Sequence, residues 1–89
     1  MVTFIILINT ERNCVNSVAE SLIGLERVSE VYSVSGNYDL VAMVRAKDNE
    51  DLAELVTEQL HAIDGIAHTE TMLALRSYSR HDLEAMFSV

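Results

Sequence analysis

The fold is decided by a hairpin in the middle of the chain, residues 28–46, which reads VSEVYSVSGNYDLVAMVRA. Residues 28–35 and 40–46 are rich in valine and other side chains that favour strands. Between them, residues 36–39 are Gly-Asn-Tyr-Asp, and glycine permits the positive φ that a tight turn requires. The stretch therefore predicts two neighbouring antiparallel strands joined by a turn.

Each side of this hairpin carries one helix and one strand. Residues 2–8 form a continuous apolar run, typical of a strand covered on both faces, and residues 66–75 predict the last strand. The helices are indicated by apolar residues at helical spacing, which are Val15, Val18, Ala19, Leu22 and Ile23 in the first and Leu52, Leu55, Val56, Leu60 and Ile63 in the second.

The ends of the two helices are marked by polar residues and glycines. Asn13 is the predicted N-cap of the first helix, and Gly24 is predicted to end it in the left-handed conformation. Asp48 is the predicted N-cap of the second helix, which ends at Asp64-Gly65.

The resulting order, βαββαβ, predicts an α+β fold of the ferredoxin-like class, with one four-stranded antiparallel sheet and both helices on one face. We expect one domain over residues 1–76 and a short helical tail over residues 77–89, where Ser79 and Asp82 have the spacing of a capping box. The apolar side of this tail is expected to dock on a neighbouring subunit or on a partner; it consists of Leu83, Met86 and Phe87.

The second face of the sheet is predicted to be apolar and uncovered. In the first and third strands Ile5, Leu7, Val41 and Met43 alternate with the residues expected to face the helices. A second copy packed sheet to sheet is the simplest cover, so we predict a homodimer of the dimeric α/β-barrel kind.

Composition limits the partners and the compartment. The chain has 89 residues, and its 14 acidic against 6 basic residues give a net charge of −8. Binding to a phosphate backbone needs a basic face, so direct DNA binding is disfavoured. The single Cys14 excludes an internal disulfide, and the apolar run at residues 2–8 is too short to span a membrane and lacks a basic flank. We expect a cytoplasmic protein without membrane contact.

No pattern of catalytic or metal-binding residues stands out. His61, His68 and His81 have no carboxylate or cysteine at a ligand spacing, so they are interpreted as partly exposed polar residues. The glycines are isolated, which argues against a phosphate loop, and no nucleophile stands beside a base. We therefore predict no catalytic residue, no metal, no cofactor and no enzymatic activity.

The turn at residues 36–39 has two interpretations. In the first, it is only a hairpin turn in which Tyr38 shields the end of the core, since Asp and Gly are expected in turns anyway. Alternatively, its free backbone N–H groups hold a carboxylate while Asp39 holds an ammonium, the two charged groups of an amino acid. Thr69 and Thr71 project from one face of the last strand and form either an ordinary β segment or a polar ledge for a ligand.

Two segments carry a resemblance to a known family. They are residues 35–44, SGNYDLVAMV, and residues 60–71, LHAIDGIAHTET. Together with Val-Ser-Glu-Val at residues 28–31, they strongly resemble the C-terminal effector domain of the Lrp/AsnC transcriptional regulators, the RAM (regulation of amino acid metabolism) domain. The similarity spans residues 2–76.

The resemblance implies a ferredoxin-like dimer that assembles into a higher oligomer, often an octamer, and binds amino-acid effectors in clefts between dimers. By position it implies a ligand site made of Gly36, Asn37, Tyr38, Asp39, Leu40, Thr69 and Thr71. Regulators of the family carry a helix-turn-helix domain before this one, whereas the first predicted strand here begins at residue 2. We therefore expect a stand-alone effector domain without direct DNA binding.

Our leading hypothesis is a non-enzymatic module that senses amino acids, oligomerises, and modulates transcription through a partner or by mixed assembly with a full-length Lrp/AsnC regulator. A purely structural interaction module is the first alternative. A small dimeric ferredoxin-like enzyme, such as a monooxygenase, is the second.

Overall fold

The computed structural model describes residues 1–78 and residue 80. Its elements are β1 (Val2–Thr10), α1 (Val15–Ile23), β2 (Val28–Ser33), β3 (Leu40–Ala46), α2 (Asn49–Glu54), a π-helical segment (Leu55–Leu60) and β4 (Ile66–Leu73). The strands form one four-stranded sheet in the order β2-β3-β1-β4, and all neighbouring pairs are antiparallel. This confirms the predicted α+β ferredoxin-like fold. The predicted tail helix, with Ser79 and residues 81–89, lies outside the described residues.

The core lies between one face of the sheet and the helices. Alternate residues of the two central strands are buried there, and helical residues close over them in a single cluster. The strand members are Phe4, Ile6 and Ile8 of β1, Val28 of β2, and Leu40, Ala42, Val44 and Ala46 of β3, and the helical members are Val18, Leu22, Leu55 and Leu60. Both helical layers therefore cover the same face, as predicted.

The opposite face of the sheet, here called the outer face, has an apolar centre with polar residues at its edges, and no helix of the described chain covers it. Ile5 lies between Met43 of β3 and Met72 of β4, and Leu7 lies beside Val41. Met72 at the edge is 42% exposed. The predicted uncovered apolar face is therefore confirmed.

The second helix differs from its prediction, because it is α-helical only to Glu54 and continues as a π helix over Leu55–Leu60. Leu55 and Leu60 are both buried. Residues five apart lie about 140° apart around an α-helix, whereas the i→i+5 bonding of a π helix brings them to one face. The Thr57 hydroxyl donates to the Ala53 carbonyl at 2.7 Å, and such a bond competes with the backbone N–H for that acceptor.

Three predicted helix ends are wrong. The second helix ends at Leu60, before the predicted end at Asp64-Gly65. Asn13 is not the N-cap of α1: Cys14 holds that position without a side-chain cap bond, and Asn13 itself is left-handed with φ 65°. Asparagine tolerates this conformation because its short polar side chain bonds locally. Gly24 is right-handed with φ −74°, so it does not end α1 in the predicted way. Strands β2 and β4 end at Ser33 and Leu73, two residues earlier than predicted.

The described helices are short, and α1 has 9 residues. No helix among residues 1–78 is long and apolar enough to cross a membrane.

At position 65 glycine is required for two reasons: the backbone has a positive φ, and there is no room for a side chain. Its φ is +99°, and a Cβ on it would lie 2.9 Å from the Cys14 Cβ and 3.0 Å from the Val18 Cγ2. Its carbonyl also accepts the Glu11 N–H at 2.7 Å, which fixes the start of β4 against the β1–α1 loop. Gly36 shares the positive φ, at +115°, but has open space around it.

We predict that Gly65→Ala destabilises the protein more than Gly36→Ala. Each change lowers the free energy of unfolding by about 1–2 kcal/mol, because alanine disfavours the left-handed conformation. Only Gly65→Ala also places a side chain against Cys14 and Val18, which costs a further amount of about 1–3 kcal/mol. Urea denaturation of the two variants checks this, and equal losses would contradict the packing role of Gly65.

Candidate functional site

The turn between β2 and β3 is bound to the end of β1. Val34 N–H donates to the Asp39 carbonyl at 3.1 Å and closes the turn, and Asp39 N–H donates to the Ile8 carbonyl at 2.9 Å. The Asn9 side-chain amide donates to the Asn37 carbonyl at 2.8 Å. The turn is therefore held in place by main-chain and side-chain bonds to the neighbouring strand.

The Asp39 carboxylate is part of this attachment. Its Oδ2 accepts the Thr10 N–H at 2.8 Å and lies 3.4 Å from the Thr10 hydroxyl. This occurs where the register between β1 and β4 shifts, between Asn9 and Thr10. Among the described residues no donor reaches the other oxygen, Oδ1. One oxygen of Asp39 thus holds the strand end, and the other remains an open acceptor.

The tip of the turn presents unused donors. The N–H groups of residues 35–38 have no acceptor within the described part of the chain. Ser35, Gly36 and Asn37 are exposed, and Tyr38 is half-buried. Successive free N–H groups of a turn form a concavity that suits an anion.

Tyr38 links the turn to β4. Its hydroxyl donates to the Glu70 carboxylate, so the side chain spans β1 to reach the edge strand. This bond raises the pKa of Tyr38 above its ordinary value, with smaller contributions from partial desolvation and from the negative charge of Glu70. Glu70 is opposite Leu7 in register, so it belongs to the outer face.

Thr69 and Thr71 share a face of β4, as predicted, but it is the face opposite to that of Glu70. They are in register with Ile8 and Ile6, whose side chains face the helices. Thr69 lines an open cleft of about 280 Å³ between the π segment and β4. Within one chain the threonines are therefore separated from Glu70 by the sheet.

Leu40 is 1% exposed and belongs to the core, so only its main chain is available to a ligand.

Several residues beside the site have no place in the sequence prediction. Asn9 and Thr10 hold the turn, Glu70 receives Tyr38, and His61 and His68 line the Thr69 cleft. The alternation of β4 gives one usable signal, because a residue between two threonines must face the other side of the strand. The contacts of Asn9 and Thr10 depend on a bulge, which leaves no clear sequence pattern.

The described residues do not form a metal centre. Among residues 1–78, no group of three or more His, Cys, Asp or Glu side chains is arranged to hold an ion. Cys14 is a half-buried thiol packed at Gly65.

The βαββαβ order, with a glycine-tyrosine-aspartate turn held at the rim of the sheet, defines a small α+β domain of the ferredoxin-like class. The family model of the Lrp/AsnC ligand binding domain matches residues 3–83. The chain belongs to this family.

Similar proteins include regulators and one enzyme. The HTH-type transcriptional regulator FL11 of Pyrococcus abyssi is 33% identical over 73 residues, which is 82% of this chain and 48% of the regulator. Homocitrate synthase of Sulfolobus acidocaldarius is 37% identical over 60 residues, 67% of this chain but 13% of the enzyme. The chain spans about half the length of the curated regulators it matches.

Among solved structures, TTHA0845 from Thermus thermophilus has a TM-score of 0.83 and 46% identity. The match covers 90% of this chain and 100% of that one.

We predict that Asp39→Ala lowers the free energy of unfolding by about 1–3 kcal/mol, because it leaves the partly buried Thr10 N–H without its acceptor. Asp39→Asn keeps an acceptor oxygen at that place and costs less. Urea denaturation of both variants measures the difference. An equal loss in the two would show that charge, and not the bond to Thr10, is what matters.

Proposed function

We propose that this chain is a non-enzymatic module that senses amino acids and oligomerises, and that it modulates transcription through a partner protein. The family supports ligand binding, and the turn offers both kinds of group that an amino acid needs. Asp39 Oδ1 is an open acceptor for an ammonium, and the N–H groups of residues 35–38 are open donors for a carboxylate. This pairing of free acceptor and free donors carries the proposal.

The proposed site needs more than one copy of the chain. Gly36, Asn37, Tyr38, Asp39 and the main chain of Leu40 supply one side. Thr69 and Thr71 lie on the other face of the sheet, so they complete a cleft only from a neighbouring copy. Assembly and ligand binding are therefore coupled in this proposal.

The assembly is proposed to start from a homodimer formed by the outer faces. An apolar strip that contains Ile5, Leu7, Val41, Met43 and Met72 is suited to a sheet-to-sheet interface. Dimers then join into a higher oligomer, proposed to be an octamer, or mix with a full-length regulator of the same family. The acidic charge of −8 supports an indirect effect on transcription over direct binding to DNA.

A second candidate is control of an enzyme. It is favoured by one observation, the match of this chain to a small share of a homocitrate synthase. In that enzyme a segment similar to this chain belongs to a much longer catalytic protein. By analogy, the partner that responds to the ligand would be an enzyme. Co-purification of a catalytic subunit with this chain would favour this candidate over a regulator.

We predict that calorimetric titration with each of the twenty amino acids detects binding, and that Asp39→Asn abolishes it while the fold is retained. The substitution keeps the acceptor for Thr10 but removes the charge that attracts an ammonium. Native mass spectrometry of the same samples reports the stoichiometry and the oligomeric state.

Glu20→Gln is the matched control, because it removes one exposed carboxylate from α1, away from the turn. Binding that survives in Asp39→Asn, or the absence of binding with all twenty amino acids, would contradict the sensing proposal.

We predict that Ile5→Asp converts the dimer to a monomer of about 9.9 kDa in light scattering, because it places a charge at the centre of the outer face. Ile23→Asp makes the same change at a residue of α1 that is 53% exposed, and it leaves the dimer intact. Dissociation by both variants, or by neither, would show that the interface lies elsewhere.

A further inference from the structure

The cleft beside Thr69 has no acidic residue, lysine or arginine in its lining, as far as the chain is described. It has a volume of about 280 Å³ and lies between the π segment and the start of β4. Its lining consists of Val56, Leu60, His61, Ile66, Ala67, His68 and Thr69. Two clefts at the other end of the sheet, of about 350 and 490 Å³, are both lined by Arg45 and by at least one further charged side chain.

The inner part of this cleft is apolar. Leu60 is 2% exposed, and Val56 and Ile66 are half-buried and pack against the core cluster. We call these three residues the apolar floor of the cleft. His61 and His68 are exposed, so the cleft is open to solvent. An occupant gains affinity in proportion to the apolar surface that it buries on the floor, roughly fourfold for each methylene group.

The volume of the cleft limits the size of its occupant. Sites for drug-sized ligands have roughly 300–1,000 Å³, so a cleft of about 280 Å³ suits a smaller group, such as one amino-acid side chain.

Thr69 connects the cleft to the proposed amino-acid site, because it belongs to both. In that site the turn of one copy binds the ammonium and the carboxylate of the ligand. All amino acids share these two groups, so the turn alone cannot select among them. Selection has to come from the surface that faces the side chain of the ligand, and in the proposed assembly this is the Thr69 face of the neighbouring copy.

We propose that the cleft beside Thr69 binds the side chain of an amino acid held by the turn of a neighbouring copy, and that it selects large apolar side chains such as those of leucine, isoleucine and methionine. This inference rests on the proposed amino-acid site and adds the class of its ligand. A charged side chain would lie against the apolar floor without a partner, which is unfavourable. Glycine would leave the floor uncovered.

The first test compares affinities in the calorimetric titrations with the twenty amino acids. Leucine, isoleucine and methionine are expected to bind about tenfold or more tightly than glycine, lysine or glutamate. Binding that needs Asp39 but is strongest for a charged or amide side chain, or is equal for glycine and leucine, would refute the role of the cleft and leave the sensing function in place. No binding with any amino acid would refute both.

The second test places a carboxylate in the cleft. His61→Glu is expected to weaken the binding of leucine about tenfold and to reverse the preference in favour of lysine, whose ammonium then finds a partner. Ala62→Glu is the matched control, because it adds the same charge at the next residue, which is exposed and does not line the cleft. An equal effect of the two variants, or an unchanged preference in His61→Glu, would overturn the proposal.

The third test asks whether the turn and the cleft of one site come from different copies. Asp39→Asn and His61→Glu chains are expected to bind leucine poorly when each is alone. Unfolded together and refolded as a mixture, they form some sites with an intact turn from one chain and an intact cleft from the other. Leucine binding with the original affinity is therefore expected to return in a fraction of the sites. No recovery would refute the assignment of the cleft to the neighbouring copy.

Discussion

Strand β1 is apolar on both sides, and this property places the other elements. It lies between β3 and β4, and its even-numbered residues face the helices while the odd-numbered ones form the middle of the outer face. Each fully buried side chain such as Ile6 or Ile8 contributes about 1.5–3 kcal/mol. A strand with only one apolar side would need no second layer, but β1 leaves Ile5 and Leu7 to be covered from outside.

The same property weakens the usual signal for register. A slip of one residue normally turns a strand's apolar side chains toward water, yet in residues 2–8 it would exchange one apolar set for another. The polar end of β1 therefore has to specify the pairing. Asp39 does so from the turn, through Thr10 and through its own N–H to Ile8. In the proposed function an ammonium at Oδ1 acts on this same carboxylate, which connects the ligand to the strand that forms the interface.

Periodicity was sufficient to predict the fold, because the helical stripes and the paired strands follow directly from the spacing of apolar residues. The predictions of helix type and helix ends are wrong where hydrogen bonding of the backbone, and not the pattern of polar and apolar residues, determines the structure. Thr57 bonds to Ala53 where the α-helix changes to a π helix, and the apolar spacing of the second helix does not reveal this. Gly24 and Gly65 both come after a helix, but only Gly65 has a positive φ, and there Cys14 and Val18 also leave no room for a side chain.

The turn of the candidate site could be predicted from the sequence, but the contacts between the turn and the neighbouring strands could not. Gly36 and Asp39 have the residue types that a turn favours, whereas the bond from Tyr38 to Glu70 depends on the strand order, since β4 lies beyond β1. The division of Thr69 and Glu70 between two faces follows from alternation alone. The role of each face depends on the layers above and below the sheet, which a single strand does not specify.

The net charge of −8 is not spread evenly, because Arg45, Lys47 and Arg76 lie at the end of the sheet away from the turn, where Arg27, Glu26 and Asp51 also lie. The turn end carries Asp39 and Glu70. A strand of 9 residues is about 30 Å long, several times the screening length of about 8 Å at physiological salt. The charges at one end therefore have little influence on the other end. Among the described residues Arg45, Lys47 and Arg76 make no ion pair, and three cations fall below the six to ten phosphate contacts, roughly, of a typical DNA-binding surface. The local distribution of charge thus argues against binding to DNA, as the net charge does.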